Sequence, residues 1–474
     1  MIKNKVFNAS LWNILERFYT QLLRFILNVI LARILFPSDY GVIGMLAVFI
    51  AISQSFIEGG FINALIQKQN RTEKDFSTIF FFNIITSVLI YVLLFIAAPY
   101  VSEFYDQPQL TELMRVLTIS IIFSAFSIVP ISKLHINLEF KKQAKVTVSA
   151  TTISAIGAIY LAYDGFGVWA LVFQNIVTVI LQSLFLFIVV KWKPKLIFDK
   201  NSFTDLFSFG SKILLVNLFD RVIRNLYIII IGKVYSAEQL GFYTRAEQFS
   251  QLPSSNIAGV FKNITFPQMC QIKNDLKKLK SYYVQTVILS CVITFPILFF
   301  VSFFSESIVM LTLTEKWISV SPLLKLLAIS ALIYPINFLN TNLLLANKRS
   351  DLYLYVEFIK KIIVIIILIL TVKHGIEAII FGQIFVAFAS LIINSFYTNK
   401  LINYSVINQV LEISPFLIIS FFSFYLAFNL TKHFSQDLIK LILGFSFGMF
   451  VNFSILFVSN IKNLRNEFLK KIKA

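Results

Sequence analysis

The chain has 474 residues, of which 57% are hydrophobic, 16% aromatic and only 14% charged. A soluble protein of this length would form two or three domains and would need a charged surface that this composition does not supply, so a polytopic membrane protein is expected. The net charge of +18 would suit nucleic acid in a soluble protein, but here the charges are placed to orient membrane spans, and nucleic acid is excluded as a partner.

Hydropathy defines about fourteen spans, at 11–34, 41–65, 76–100, 110–132, 144–163, 166–190, 206–232, 240–265, 281–304, 320–345, 351–371, 376–397, 411–430 and 436–459. Each is close to the ~20 apolar residues that a bilayer requires. Alternate connections are basic: Lys68, Arg71 and Lys74 lie in one, Lys133, Lys141 and Lys142 in the next, then Lys191, Lys193 and Lys195, and later Lys273 and Lys277. The opposite connections carry little more than Glu103, Asp106, Asp164 and isolated lysines such as Lys233. By the positive-inside rule the basic connections and both termini face the cytoplasm, and membrane lipids, anionic ones included, are natural contacts. Lys3 and Lys5 resemble a signal n-region, but Glu16 and Arg17 follow in the span, so a retained first helix is expected rather than a cleaved signal.

The first span is unusual. It carries Glu16, Arg17 and Arg24, although Arg at mid-membrane costs at least ~2.5–3.5 kcal/mol and normally faces a bundle interior or a wet cavity. Arg17, Gln21, Arg24 and Asn28 form one helical stripe. The span at 206–232 repeats the design with Asn217, Asp220, Arg221 and Arg224, and Arg24 and Arg224 are 200 positions apart. Other segments match at similar offsets. Ala32–Gly41 corresponds to Gly232–Gly241, Val129-Pro130-Ile131-Ser132 to Tyr334-Pro335-Ile336-Asn337 at 205, and Gly167-Val168-Trp169-Ala170 to Gly375-Ile376-Glu377-Ala378 at 208. An internal duplication with small insertions produces this drift. Six spans per copy make the repeats parallel. The expected fold is therefore an all-α polytopic membrane protein with two parallel six-helix lobes, 1–200 and 201–400. The remainder, 401–474, holds two further helices and a basic cytoplasmic tail. The segment 191–205 links the lobes at the cytoplasmic interface.

An excess of Arg (Arg17, Arg24, Arg221, Arg224 and Arg245) suits a diphosphate, because the guanidinium fork matches phosphate and stays charged when desolvated. The competing reading is internal pairing, of Glu16 with Arg17 or Arg24 and of Asp220 with Arg224. Glu58, Asp220 and Glu357 are candidates either for a coupling proton or cation (H+ or Na+) or for such pairing. Pro130, Pro253, Pro296 and Pro335 are expected to bend their spans. Cys270, Cys291 and the scattered histidines show no metal spacing, and no other cofactor is implied. Walker A, H-E-x-x-H and G-x-S-x-G motifs are missing from the sequence, so a non-enzyme is expected. The longest outer connection, around Glu306 to Ser319, is too short for the sizeable catalytic loop of a polytopic glycosyltransferase.

Leu35-Phe36-Pro37-Ser38-Asp39-Tyr40-Gly41, then Glu58-Gly59-Gly60-Phe61 and Ala64-Leu65-Ile66-Gln67-Lys68, resemble the Wzx-like polysaccharide exporters. Within the multidrug/oligosaccharidyl-lipid/polysaccharide flippase superfamily, the similarity points to the colanic-acid and teichuronic-acid exporter branch, as does Gly165-Phe166-Gly167-Val168-Trp169-Ala170-Leu171-Val172. This resemblance implies two lobes in the V shape of multidrug (MATE-like) exporters and alternating access. It implies flipping of an undecaprenyl-diphosphate-linked oligosaccharide across a bacterial inner membrane for O-antigen, capsule or exopolysaccharide synthesis. It further implies arginines in a central cavity, a groove for the lipid tail at 411–459, and a polysaccharide polymerase and export machinery as candidate partners. A cation-coupled multidrug exporter of the same architecture and a polytopic glycosyltransferase are the rival functions.

Overall fold

The computed structural model describes residues 19–58, 61–68 and 70–458, all helices, turns and connections without a strand among them. Two compact units, Met1–Gly241 and Phe242–Ala474, divide the chain. This division differs from a boundary at residue 200, because the helix that follows residue 199 packs with the first unit.

In the first unit the helices are α1 (19–34), α2 (Pro37–Glu58), α3 (Phe61–Gln67), α4 (Glu73–Tyr105), α5 (Leu110–Leu117), α6 (Ile119–Ile136), α7 (Phe140–Tyr163), α8 (Val168–Val190), α9 (Lys200–Arg224) and α10 (Leu226–Val234). At 33 residues α4 is about 50 Å long, well beyond a hydrocarbon core of ~30 Å. Small residues let α7 and α8 approach closely. Ala150, Ser154, Ala158 and Ala162, four apart, are all buried, and Ser154 Oγ meets Thr178 Oγ1 at 2.6 Å. This is the small-xxx-small packing used where lipid removes any hydrophobic drive between helices. An aromatic cluster lies beside it: Phe80 makes edge-on contacts with Phe81, Phe126, Phe187 and Trp192, the geometry ring quadrupoles favour.

The segment expected to link lobes is docked. Between α8 and α9, Trp192 Nε1 donates to Glu73 Oε2 at 2.7 Å, Lys195 N to Ser77 Oγ at 3.1 Å and Asp199 N to Thr78 Oγ1 at 3.0 Å. The first turns of α4 thus satisfy backbone groups that a loop would otherwise leave to water. Asp199 then caps α9, accepting from Ser202 N at 2.8 Å.

The second unit comprises α11 (Ala237–Ile272, whose first turn belongs to unit one), α12 (Leu276–Phe303), α13 (Ser305–Thr312), α14 (Val320–Ala331), α15 (Tyr334–Ala346), α16 (Ser350–Thr371), α17 (Ile376–Ile402), α18 (Val406–Thr431) and α19 (Asp437–Val458). Its core runs along α12, where Leu279, Tyr283, Phe295 and Leu298 are fully buried. The connection expected at 306–319 is folded: α13 and a single 3-10 turn at Glu315–Trp317 occupy it, with Trp317 fully buried. Pro335 does not bend a continuous helix, because the chain turns at 332–333 and Pro335 stands in the first turn of α15, where its missing N–H is harmless. Pro130, Pro253 and Pro296 do lie inside helices.

Ten described helices or consecutive helix pairs are long and apolar enough to cross a membrane, which makes this a multi-pass membrane protein. The other four of the fourteen expected spans fall on α1, on α9 and α10, on α11 and on α16. The last three carry Asp220, Arg221 and Arg224; Arg245 and Glu247; and Glu357 and Lys360 respectively. α1 has 16 described residues, fewer than a span needs, whereas α9, α11 and α16 are long enough and are set apart by the charged and polar side chains they carry.

Candidate functional site

The expected site residues of the first unit lie on α1, α2 and α9. Arg221 reaches from α9 onto one face of α2. Its Nη1 donates to Ala51 O at 2.8 Å and Gln54 Oε1 at 3.3 Å, and its Nη2 to Glu58 Oε2 at 2.8 Å. Positions 51, 54 and 58 share a stripe of α2 by helical periodicity, so a single guanidinium binds two turns of the neighbouring helix. Glu58 is thereby ion-paired, and Arg221 is the cation that compensates it.

Arg224 is held differently. Its Nε pairs with Asp220 Oδ2 at 2.7 Å, one turn away on α9, while 73% of the side chain stays exposed. Its two Nη groups have no acceptor among the described residues. Arg24 is exposed on α1, and among the described residues nothing pairs with its guanidinium. Glu16 and Arg17 lie outside the described residues.

Of the expected site residues, the first unit therefore holds Arg24, Glu58, Asp220, Arg221 and Arg224, and the geometry joins them in two ion pairs with Arg24 left over. The charge balance is one net cation, with the open donors on Arg24 and Arg224. Arg245 and Glu357 belong to the second unit. Arg245 Nη1 donates to Gln248 Oε1 at 2.6 Å on its own helix, and Glu357 is ion-paired with Lys360 three residues along α16. Among the described residues no group of His, Cys, Asp or Glu is arranged to hold a metal ion.

Two polar constellations were not anticipated. At the basic end of the first unit Lys133 Nζ binds Glu73 Oε1 at 2.8 Å and stands over the Phe76 and Trp192 rings at 4.2 and 5.2 Å. In the second unit Tyr283 OH donates to Asn340 Oδ1 and accepts from Gln409 Nε2, both at 2.6 Å. Thr398 Oγ1 also donates to Asn340 Oδ1 at 2.7 Å, and Asn394 Nδ2 to Asn337 Oδ1 at 2.9 Å. This neutral network ties α12, α15, α17 and α18 together. The visible signal was a set of amides within apolar spans; which amide meets which is set by tertiary packing.

Comparison with known proteins follows the same lines. Over 313 residues, 64% of this chain and 63% of the relative, the sequence is 31% identical to the teichuronic acid biosynthesis protein TuaB of Bacillus subtilis (strain 168). It is 22% identical to the succinoglycan biosynthesis transport protein ExoT of Rhizobium meliloti (strain 1021) over 67% of this chain and 65% of that one. In both cases the match spans just under two thirds of the relative. The fold is similar to that of a solved structure of the lipid II flippase MurJ, described as an inward closed conformation, with a TM-score of 0.78 at 15% identity over 95% of this chain and 99% of the other. Residues 30–322, more than half of the chain, match the polysaccharide biosynthesis protein family, and the chain belongs to that family.

Proposed function

We propose that this protein is a flippase that carries a polyprenyl-diphosphate-linked oligosaccharide from the cytoplasmic to the outer leaflet by alternating access, serving surface polysaccharide synthesis in a bacterial inner membrane. The observation that carries this reading is the pair of open guanidinium groups: Arg24 without a partner among the described residues, and Arg224 with only its Nε engaged. Arg is retained in a membrane helix at a cost, and its fork matches a diphosphate bidentately. Family membership and the flippase fold support the same direction. In this reading Arg221 and Glu58 fix α9 to α2 and keep Arg224 presented. Coupling to an H+ or Na+ gradient resets the cycle, both termini are cytoplasmic, and two lobes rock in alternation, α9 moving with the first, with 411–459 beside the lipid tail.

The test is reconstitution into liposomes, following leaflet exposure of a polyprenyl-diphosphate oligosaccharide. Two charge-assisted contacts at about 1.5–3 kcal/mol each predict that Arg24→Ala with Arg224→Ala slows translocation by about a hundredfold or more. Arg→Lys at both positions keeps charge without the fork and is expected to recover part of the rate. Full translocation by the double alanine variant overturns the clamp, and drug flux in place of lipid translocation overturns the flippase.

A further inference from the structure

At the basic end of the first unit, the ends of α6 and α8 and the start of α7 border an open pocket of about 400 Å³ lined by Lys133, Asn137, Glu139, Lys142, Lys191 and Trp192. Two of its lysines are engaged, Lys133 with Glu73 and Lys142 with Glu139 at 2.8 Å each. Lys191 and the Asn137 side chain have no partner among the described residues. Lys191 sits in the left-handed region at φ 53°, a conformation that bulky side chains adopt at a cost. The cavity therefore offers a free ammonium and a free amide against a background of net positive charge.

The surroundings are those of a membrane interface. Lysines alternate with apolar residues along Lys191-Trp192-Lys193-Pro194-Lys195-Leu196-Ile197-Phe198, and Leu196 is 92% exposed. With Trp192 held in the protein, such alternation suits a segment lying among headgroups, with Leu196 and Phe198, both exposed, facing the acyl boundary and ammonium groups among phosphates. Leu184 and Ile188, both exposed on α8, fall on the helical stripe that ends at Lys191. An apolar track thus leads from the lipid-facing side of α8 to the charged cavity.

We propose that this cavity binds the phosphate headgroup of an anionic phospholipid of the cytoplasmic leaflet, with an acyl chain lying along Leu184 and Ile188. Lys191 neutralises the phosphate, Asn137 hydrogen-bonds the glycerol end, and the engaged pairs Lys133–Glu73 and Lys142–Glu139 shape the walls. Nothing in this assignment depends on Arg24 or Arg224, so it stands or falls apart from the translocation mechanism.

The full chain, reconstituted in vesicles of phosphatidylethanolamine and phosphatidylglycerol and released for native mass spectrometry, is expected to retain phosphatidylglycerol selectively. Lys191→Gln should weaken retention about fivefold, the effect of one lysine near an anionic surface. Asn137→Ala leaves net charge unchanged and should still weaken retention. Lys191→Arg should preserve it, and it keeps the test open if the glutamine variant folds poorly. Lys273→Gln with Lys277→Gln, which removes charge from another basic connection of the chain, should have little effect. Equal losses in that control variant, or no loss with Lys191→Gln and Asn137→Ala, would overturn the site in favour of diffuse attraction. Preferential displacement of phosphatidylglycerol by a polyprenyl diphosphate would overturn the phospholipid assignment and make the cavity a station for the substrate, whereas displacement by free glycerophosphate alone would show that no lipid is required.

Discussion

Two turns of the first unit, 35–41 and 235–241, occupy repeat-related positions and share a geometry built from different chemistry. In the first, Phe36 N donates to Asp39 Oδ2 at 2.9 Å; in the second, Ser236 N donates to Gln239 Oε1 at 3.4 Å and Ser236 Oγ accepts from Gln239 N at 3.2 Å. Both are capping arrangements that satisfy donors at a helix start. The glycines agree more closely still. A Cβ on Gly41 would lie 1.7 Å from Ala237 O, and one on Gly241 would lie 1.9 Å from Pro37 O. Each glycine thus faces the repeat equivalent of the other's neighbour, and the helix starts cross backbone to backbone about a local two-fold. The caps have diverged from carboxylate to amide because either accepts a hydrogen bond. The glycines have not, because at that separation no side chain fits.

The largest effect is therefore expected at the crossing. Gly41→Ala or Gly241→Ala forces the backbones apart and should destabilise the protein by about 3 kcal/mol or more, beyond ordinary overpacking. Because both glycines serve one contact, the double variant should cost little more than the worse single one. Gly259→Ala is the control. Its Cβ would meet nothing within 4 Å on α11, so helix propensity predicts a gain of about 0.5–1 kcal/mol. Thermal unfolding in detergent measures all four variants. Additive losses at Gly41 and Gly241 would show that the two approaches are independent.

The caps come next. Asp39→Ala removes the acceptor for Phe36 N and a negative charge from the start of α2, and a loss of about 1 kcal/mol is expected. A third cap separates charge from hydrogen bonding by pH. The Ser202 backbone N–H, with help from its hydroxyl, holds the Asp199 carboxyl below the usual carboxylate range. With the folded value depressed, the capping contribution is complete above the unfolded pKa and fades as pH falls through the folded one. Hydrogen exchange at the first turn of α9 should thus lose protection in acid. In the Asp199→Asn variant that loss should disappear while a weaker cap persists at neutral pH. An acid response unchanged by this substitution would assign the effect to another group.

What the amino-acid order made legible was whatever is local. Apolar length marked most membrane helices, and the four-residue spacing of Asp220 and Arg224 placed them within pairing reach. The motif 35–41 was visible as a turn, but its reason, the Ala237 carbonyl 196 positions beyond Gly41, was not. Likewise the sequence places Arg221 in a stripe suited to an anion, whereas in the fold it is bound to Glu58 across 163 positions. Hydropathy orders helices along a chain without saying which faces meet, and a short-range charge count cannot decide between a ligand and a cross-helix partner. For the same reason the expected connection at 306–319 turned out to hold a buried Trp317. Its apolar residues are too few for a span, yet enough to fold back.

The smallest expected effect tests why the two turns diverged. Asp39→Asn gives the first turn the neutral acceptor of the second, and Gln239→Glu gives the second a charge like the first. If charge at the helix start sets cap strength, the first change should cost a few tenths of a kcal/mol and the second should gain a similar amount from the dipole of α11. Glu238 already stands in that first turn, however, and two adjacent carboxylates repel. The gain at Gln239→Glu should therefore sit near the low end, ~0.3 kcal/mol, and should rise when Glu238→Gln is added. A cycle of the two substitutions measured by thermal unfolding reads that coupling directly. If Gln239→Glu still destabilises after Glu238 is neutralised, the amide is needed for its shape and hydrogen-bond geometry, and the second turn has drifted to an optimum of its own.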